Sequence, residues 1–276
     1  MKAIISHDID HITVSEHLLA DLIVPKFIFR SKIELLSGKI SIKEYLCRWA
    51  EIFNNKWQNV DELITYNKMM NIPSSLFMGV AKGTGLNYNN ELAAVWAEQI
   101  LNRNAKLHIH GIKFETIDGI IEEKQLFEKV FNHKALGMRM HYVKRNEQTL
   151  NHFSKAGYVF DSTVHAMENP YKVGDMWEFP FQIMDGWIIE NRKKWQTRNL
   201  EQCKDATKKI IETAQSKEIS YLGIDFHDRY FNKSFKTWLD WYMWLTEYLK
   251  SNKIECVDFL QAIQELETKH VEHKII

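Results

Sequence analysis

A chain of 276 residues, 45% hydrophobic and 26% charged, has the make-up of a globular protein with enough apolar material for a sizeable core. Lys plus Arg and Asp plus Glu are each 36, so there is no basic excess of the kind a general nucleic-acid binder carries. No apolar run is long enough to span a membrane, and Lys2 is followed by only three apolar residues before the acids begin, which is not a signal peptide.

Cys47, Cys203 and Cys256 are far apart and in no metal-ligand spacing, which favours reduced thiols and a cytoplasmic location. No internal repeat stands out, and four prolines build no linker, so residues 1–276 read as a single domain.

In chain order, Ala3-Ile4-Ile5 reads as a buried strand that runs into Ser6-His7-Asp8-Ile9-Asp10-His11. Alternate residues of an extended chain share a face, so Asp8 and Asp10 point one way and His7, Ile9 and His11 the other. Adjacent carboxylates repel and want a cation, a shared proton or open water. Residues 16–62 read as helices broken near Ser37-Gly38, with a capping box at Ser41 and Glu44. Their aromatics Phe27, Phe29, Tyr45, Trp49, Phe53 and Trp57 recur at near-helical spacing and are expected in the core rather than in a binding wall.

Helices then follow over 60–71, 86–102, 122–131, 147–156, 200–216, 235–251 and 257–269. Strands are expected over 72–78, 105–110, 136–142, 158–160, 221–226 and 253–256, with a short apolar segment at 177–181. Trp238, Trp241 and Trp244 recur at i, i+3, i+6, as a packed helical face does. Strands alternating with helical segments imply parallel strands joined by crossover helices. The expected fold is α/β, a distorted (β/α) barrel with about seven parallel strands.

The polar residues fall in a telling place. Asp8, Asp10, His110, Arg139, His141, Asp161 and His227 all sit at or just after the C-terminal ends of expected strands, where a β/α barrel carries its active site. Asp-x-Asp with strand-end histidines suits a divalent metal, zinc first, with manganese, iron, cobalt or nickel using similar sets. His108 lies two residues before His110 and is its rival. His7 and His11 flank the acids and fit supporting groups better than ligands.

Asp8-Ile9-Asp10, His110-Gly111-Ile112, Gly137 to Tyr142, Phe160-Asp161-Ser162-Thr163, Glu178 to Gly186 and Phe226-His227-Asp228-Arg229 occur in that order. Together they resemble the successive motifs of the NodB-type polysaccharide deacetylases, carbohydrate esterase family four, over roughly residues 4 to 250. The resemblance implies a distorted barrel and metal-assisted removal of an acetyl group from an N-acetylated sugar. It makes Asp8 the base, Arg139 the group that orients it, and His227 the acid that protonates the departing amine. Tyr142 corresponds to the backbone N–H donor for the oxyanion. Asp10 and His110 correspond to metal ligands.

The family's second metal histidine lies four residues after the first, and here that position is Phe114. His141 is the expected replacement and Glu115 the second choice. Asp161 either orients His227, receives a substrate hydroxyl or caps a turn. Asp185 either lines the cleft or makes the turn before Gly186. Trp177, Trp187 and Trp195 are candidates for stacking on a sugar ring. The expected partner is a carbohydrate, an N-acetylated sugar that is nucleotide- or lipid-linked.

Overall fold

The computed structural model describes residues 1–18 and 22–275. Strand β1 (Lys2–Ile9) leads through α1 (Ile23–Leu36), α2 (Ile42–Asn54) and α3 (Val60–Met69) to β2 (Ser75–Met78). Then come α4 (Asn90–Asn102), β3 (Lys106–Gly111), α5 (Ile117–Phe131), β4 (Gly137–Met140), α6 (Thr149–Lys155) and β5 (Phe160–Asp161). The remainder holds β6 (Tyr171–Val173), β7 (Met176–Glu178), β8 (Phe181–Met184), α7 (Asp185–Glu190), α8 (Leu200–Ser216), β9 (Tyr221–Asp225), α9 (Lys236–Ser251) and α10 (Phe259–Ile275). The helix expected from residue 16 falls partly on 19–21, outside the described residues; Ser15–His17 is a single 3-10 turn.

One sheet runs β6-β7-β5-β4-β3-β2-β1-β9-β8. Every neighbouring pair is parallel except β6 with β7. Only Phe179 and Pro180 separate β7 from β8, yet β7 pairs with β5 and β8 with β9. The two are halves of one stave that curls the sheet back on itself, and a bridge between His165 and Phe181 tightens the closure. Proline suits that junction because it donates no ladder hydrogen bond. Counted in this way, seven parallel staves form a distorted barrel, with β6 an antiparallel addition at the edge.

Alternation along β1 sorts its side chains. Ile4 joins the barrel interior with Phe77, Phe160, Phe179 and Phe259, whereas Ala3 and Ile5 pack outward with Trp238, Trp241 and Leu245. The interior is a stack of rings: Phe160 lies over Phe259 with centroids 4.3 Å apart and meets Phe77 edge-on at 6.5 Å. A Cβ at Gly137 would stand 2.1 Å from the Phe160 ring, so glycine is required where β4 passes it. His108 belongs to this layer, its ring 4.8 Å from that of Phe160, and burial pushes it down to about 3. It is a core histidine below the site, not a ligand.

Local signals placed the helices well. The capping box at Ser41 and Glu44 is present, and a second one, Asn199 with Gln202, starts α8. Trp238 and Trp241 are fully buried and Trp244 partly so, the packed face expected of α9.

Four expectations are corrected. β1 is longer than three residues, because Ser6 and Asp8 find buried partners and stay in the strand. The strand expected over 253–256 is a single bridge between Ala3 and Cys256. β6 and α7, in a stretch without clear periodicity, were not foreseen. Of the aromatics expected in the core, Phe27 and Trp57 are buried, but Phe29 is 66% and Phe53 81% exposed.

Truncating the central ring tests the interior. Phe160→Ala is expected to cost about 3–5 kcal/mol of stability, by lost burial and a residual cavity. Urea unfolding followed by circular dichroism measures it; a loss below about 1 kcal/mol would contradict the packing described.

Candidate metal centre and active site

Three residues converge where β1, β3 and β4 end. Asp10 Oδ1 lies 3.2 Å from both His110 Nε2 and His141 Nδ1, and the two nitrogens are 3.0 Å apart. The far nitrogens decide what these atoms are. His110 Nδ1 lies 3.2 Å from the Arg139 carbonyl and His141 Nε2 2.9 Å from that of Thr84. A carbonyl only accepts, so each far nitrogen donates, which leaves the facing nitrogens as the ones that could bind a metal ion.

Two ring nitrogens and a carboxylate oxygen thus point at one place, and Asp10 Oδ1 is buried there with no hydrogen-bond partner. A cation would satisfy all three. Ligands about 2.0–2.1 Å from a tetrahedral ion stand about 3.3–3.4 Å apart, close to the spacing here. The donor set fits a divalent metal with its remaining positions open. Burial opposes the Asp10 charge, but His141, His110 and His227 around it hold its carboxyl well below the usual range.

The backbone just after His141 is strained. Tyr142 and Val143 both adopt left-handed conformations, φ 57° and 49°, which costs about 1–3 kcal/mol each and marks a site where surrounding structure imposes the strain. The loop that supplies the Thr84 carbonyl turns at Gly85, φ +83°, where a Cβ would stand 2.7 Å from the Tyr142 hydroxyl and 3.3 Å from His141 Nε2. Phe114 packs into the apolar layer between sheet and helices, and Glu115 is exposed beyond it. Glu115 does not join the trio; His141 does.

Beside the trio, the Arg139 guanidinium is fully buried and all of its donors are used. Nη1 donates to Asp8 Oδ1 and Asp225 Oδ1, each at 2.9 Å. Nη2 donates to the hydroxyls of Ser6 and Ser162, and Nε to the Ser162 carbonyl. Its carbon lies 4.4 Å from the Phe77 ring centroid, so the charge rests on the aromatic interior. Burial pushes Asp8 up, but His110 and Arg139 outweigh it and keep its carboxyl low. Asp225 is pushed up to about 7 by burial and by Asp8. Sequence reasoning missed Asp225; its only signal was a carboxylate two residues before His227, at the end of a strand.

His227 stands opposite Asp8. Its ring Nδ1 donates to Asp185 Oδ1 at 2.9 Å, and its backbone N–H donates to Asp185 Oδ2 at 2.8 Å. Nε2 is left facing the site, 3.7 Å from Asp10 Oδ2. Burial disfavours the imidazolium, but Asp185 and Asp225 more than compensate and raise its pKa well above the usual value.

Asp185 is therefore not a cleft-lining residue but the clamp on His227. Asp161 has neither role: fully buried, it accepts from the backbone and hydroxyl of Thr163 and caps that turn. His7 is buried on the other face, donating to the Phe226 carbonyl and accepting from Asn67. His11 pairs with His17 against Trp57. Trp177 is buried and Trp195 lies away from the site, so of the three tryptophans only Trp187 reaches it. With Asp8, Asp10, His110, His141, His227 and Tyr142 it lines a cavity of about 150 Å³.

No protein-family model and no curated protein matches the sequence. Solved structures do match in shape. A Mycobacterium smegmatis protein assigned to the polysaccharide deacetylases superimposes with a TM-score of 0.65 at 10% identity, over 98% of this chain and 91% of its own. A Pseudomonas aeruginosa PAO1 protein with the same assignment gives 0.55 at 15% identity, over 75% and 71%. The chain has the polysaccharide deacetylase fold. A Puue allantoinase also matches, with a TM-score of 0.58 at 14% identity, over 77% of this chain and 73% of its own. The likeness is one of fold and names neither a reaction nor a substrate. No helix among the described residues is long and apolar enough to cross a membrane.

The shared guanidinium gives a measurable signature. Because the folded-state pKa of Asp225 is raised, the folded protein binds more protons than the unfolded chain between about pH 4 and pH 7. This group's contribution to stability falls as pH rises through that window. Asp225→Asn is expected to flatten the dependence of urea midpoint on pH from 4 to 7; an unchanged slope would place the proton elsewhere.

Proposed function

We propose that residues 1–276 form one catalytic domain, a metal-dependent hydrolase that removes the acetyl group from an N-acetylated amino sugar. The observation that carries this reading is the convergence of Asp10 Oδ1, His110 Nε2 and His141 Nδ1 between the Asp8–Arg139 pair and the Asp185–His227 pair. The substrate we favour is a glycan precursor in the cytoplasm, nucleotide- or lipid-linked. A divalent ion on this donor set, zinc or one of manganese, iron, cobalt and nickel, polarises the amide carbonyl and acidifies water.

The chain's own groups supply the proton transfers. Asp8, held ionised by Arg139, takes the proton of the attacking water as its oxygen bonds to the carbonyl carbon. The Tyr142 backbone N–H, at the cavity wall, stabilises the oxyanion that develops there, and one such donor is worth about 3–4 kcal/mol. The C–N bond then breaks, and the nitrogen takes the proton held at His227 Nε2, leaving a free amine and acetate. A cavity of about 150 Å³ takes the acyl-amide group rather than a whole glycan, which leaves the sugar at the rim beside Trp187 and Tyr142.

Metal and activity are tested together. The purified chain is expected to bind one zinc or cobalt ion in calorimetric titration and to release acetate from N-acetylated amino sugars. Asp8→Asn is expected to abolish release without abolishing metal binding. His141→Ala is expected to weaken metal affinity by more than about a hundredfold, beyond what loss of an outer partner costs; unchanged affinity removes His141 as a ligand. Formate released in place of acetate from N-formyl sugars would make the chain a deformylase. Absence of both metal and product would favour a glycan-binding domain.

The His227 clamp predicts a pH effect. The acid form exists below its raised pKa, so activity falls as pH rises through that value. Asp185→Asn lowers the pKa and is expected to move the alkaline limb of kcat/KM to lower pH. A limb that stays in place would assign the proton to another group.

A further inference from the structure

The antiparallel hairpin of α1 and α2 is built inside out. Leu22, Phe29 and Leu36 recur every seven residues along and just before α1, and Ile42, Leu46 and Phe53 form an i, i+4, i+11 line on α2. All six are between 60% and 87% exposed. They are six of the thirteen large apolar side chains that stand exposed among the described residues, gathered within 32 positions of the chain. Three charges of the same helices, Arg30, Glu34 and Arg48, turn inward, beside Val24 and Phe27. Glu34 and Arg48 are buried and paired, Arg30 bonds Glu34 and Glu190, and Arg48 Nε donates to the Ser234 carbonyl.

The inward faces of both helices converge on one ring. Phe27 lies 6.1 Å and the Arg48 guanidinium carbon 4.5 Å from the Phe235 centroid. The two apolar lines therefore face away from the body. Isolated apolar residues on a surface need no explanation, but an ordered patch of this kind marks an interaction site.

The charge pattern says what covers it. Between residues 22 and 55 the chain carries six Lys or Arg and three Glu, against an exact balance over the whole protein. With Arg30, Glu34 and Arg48 turned inward, the exposed charges of the two helices are Lys26, Lys32 and Lys43. On a helical wheel Lys26 and Lys32 border the apolar line of α1 from its two sides, and Lys43 borders that of α2. An apolar stripe edged with lysines is the pattern of a helix lying in a membrane interface, with chains buried and ammonium groups among anionic headgroups. A second copy of this chain would set the same lysines against one another.

We propose that the α1–α2 hairpin seats the protein on an anionic phospholipid surface. The surface adjoins the site. α1 follows the strand that carries Asp8 and Asp10, and Arg30 ties it to Glu190 of α7, the helix that also holds Asp185 and Trp187. Docking would bring the site to the lipid surface, which favours the lipid-linked form of substrate over the nucleotide-linked one. That consequence rests on the deacetylase reading; the docking itself does not.

Sedimentation of the full chain with vesicles is the test. Binding is expected to vesicles of phosphatidylglycerol in phosphatidylcholine, to be weak on phosphatidylcholine alone, and to fall as salt is raised. Phe29→Ser with Leu46→Ser and Phe53→Ser is expected to lower the bound-to-free ratio at least tenfold. Lys26→Gln with Lys32→Gln and Lys43→Gln is expected to remove the preference for phosphatidylglycerol. Both variants should keep the wild-type melting temperature and zinc affinity, which separates failure of docking from failure of the catalytic reading. Wild-type protein left in the supernatant with anionic vesicles at low salt overturns the proposal. So does a wild-type dimer, seen by analytical ultracentrifugation, that the serine variant dissolves.

Discussion

The buried Arg139 guanidinium is the interaction on which the site depends. A charge taken out of water is tolerated only with close partners on every donor, and here five hydrogen bonds reach β1, β9 and the turn after β5. The tops of three staves are thereby set relative to β4. Two carboxylates share the one cation, so the cluster carries an excess negative charge in a medium that penalises it. A proton on Asp225 relieves that excess and leaves Asp8, which also feels His110, as the ionised member. The arginine thus holds two carboxylates at once, and with Asp225 it sets which of the two stays ionised.

The candidate metal trio rests on a different constraint, the anchoring of two rings. A far nitrogen left to water would let its ring turn, and the three atoms would not converge. The carbonyl of Arg139 fixes His110 and the carbonyl of Thr84 fixes His141. The second lock needs the Gly85 turn, and His141 reaches its place through the strained Tyr142–Val143 backbone that also shapes the cavity wall. His141, at the end of β4, thus comes with its own supports, while Phe114 in the loop after β3 packs into the apolar layer.

Much of this was legible in the sequence because strand ends leave local marks. Asp8, Asp10, His110, Arg139, His141 and His227 each follow an apolar run, and a barrel brings such ends together whatever their separation in the chain. What failed to show depended on long-range partners. Asp225 reads as one more acid until Arg139 is seen across the barrel from it. Asp161 and Asp185 look alike in sequence, a carboxylate before a turn, and only their neighbours, Thr163 for one and His227 for the other, distinguish a cap from a clamp. Of the split stave β7/β8, only the apolar segment 177–181 shows in the sequence, because no local pattern says which partner each half will take.

The α1–α2 hairpin shows the limit of periodicity most clearly. A helical apolar line reports that one face is unlike the other; it does not say which face meets the protein. Here the usual assignment is reversed because Phe235, Trp57 and the Glu34–Arg48 pair already fill the space beneath the hairpin. A paired charge under a helix costs less than an unpaired one, so the inward face could be polar only where both partners came together. Glu34 and Arg48 lie on different helices of the same hairpin, which makes the pairing local and cheap in chain entropy. The apolar residues were then left to the outside. Their exposure is thus a consequence of how the hairpin packs on the body, where Arg30 also ties α1 to Glu190 of α7.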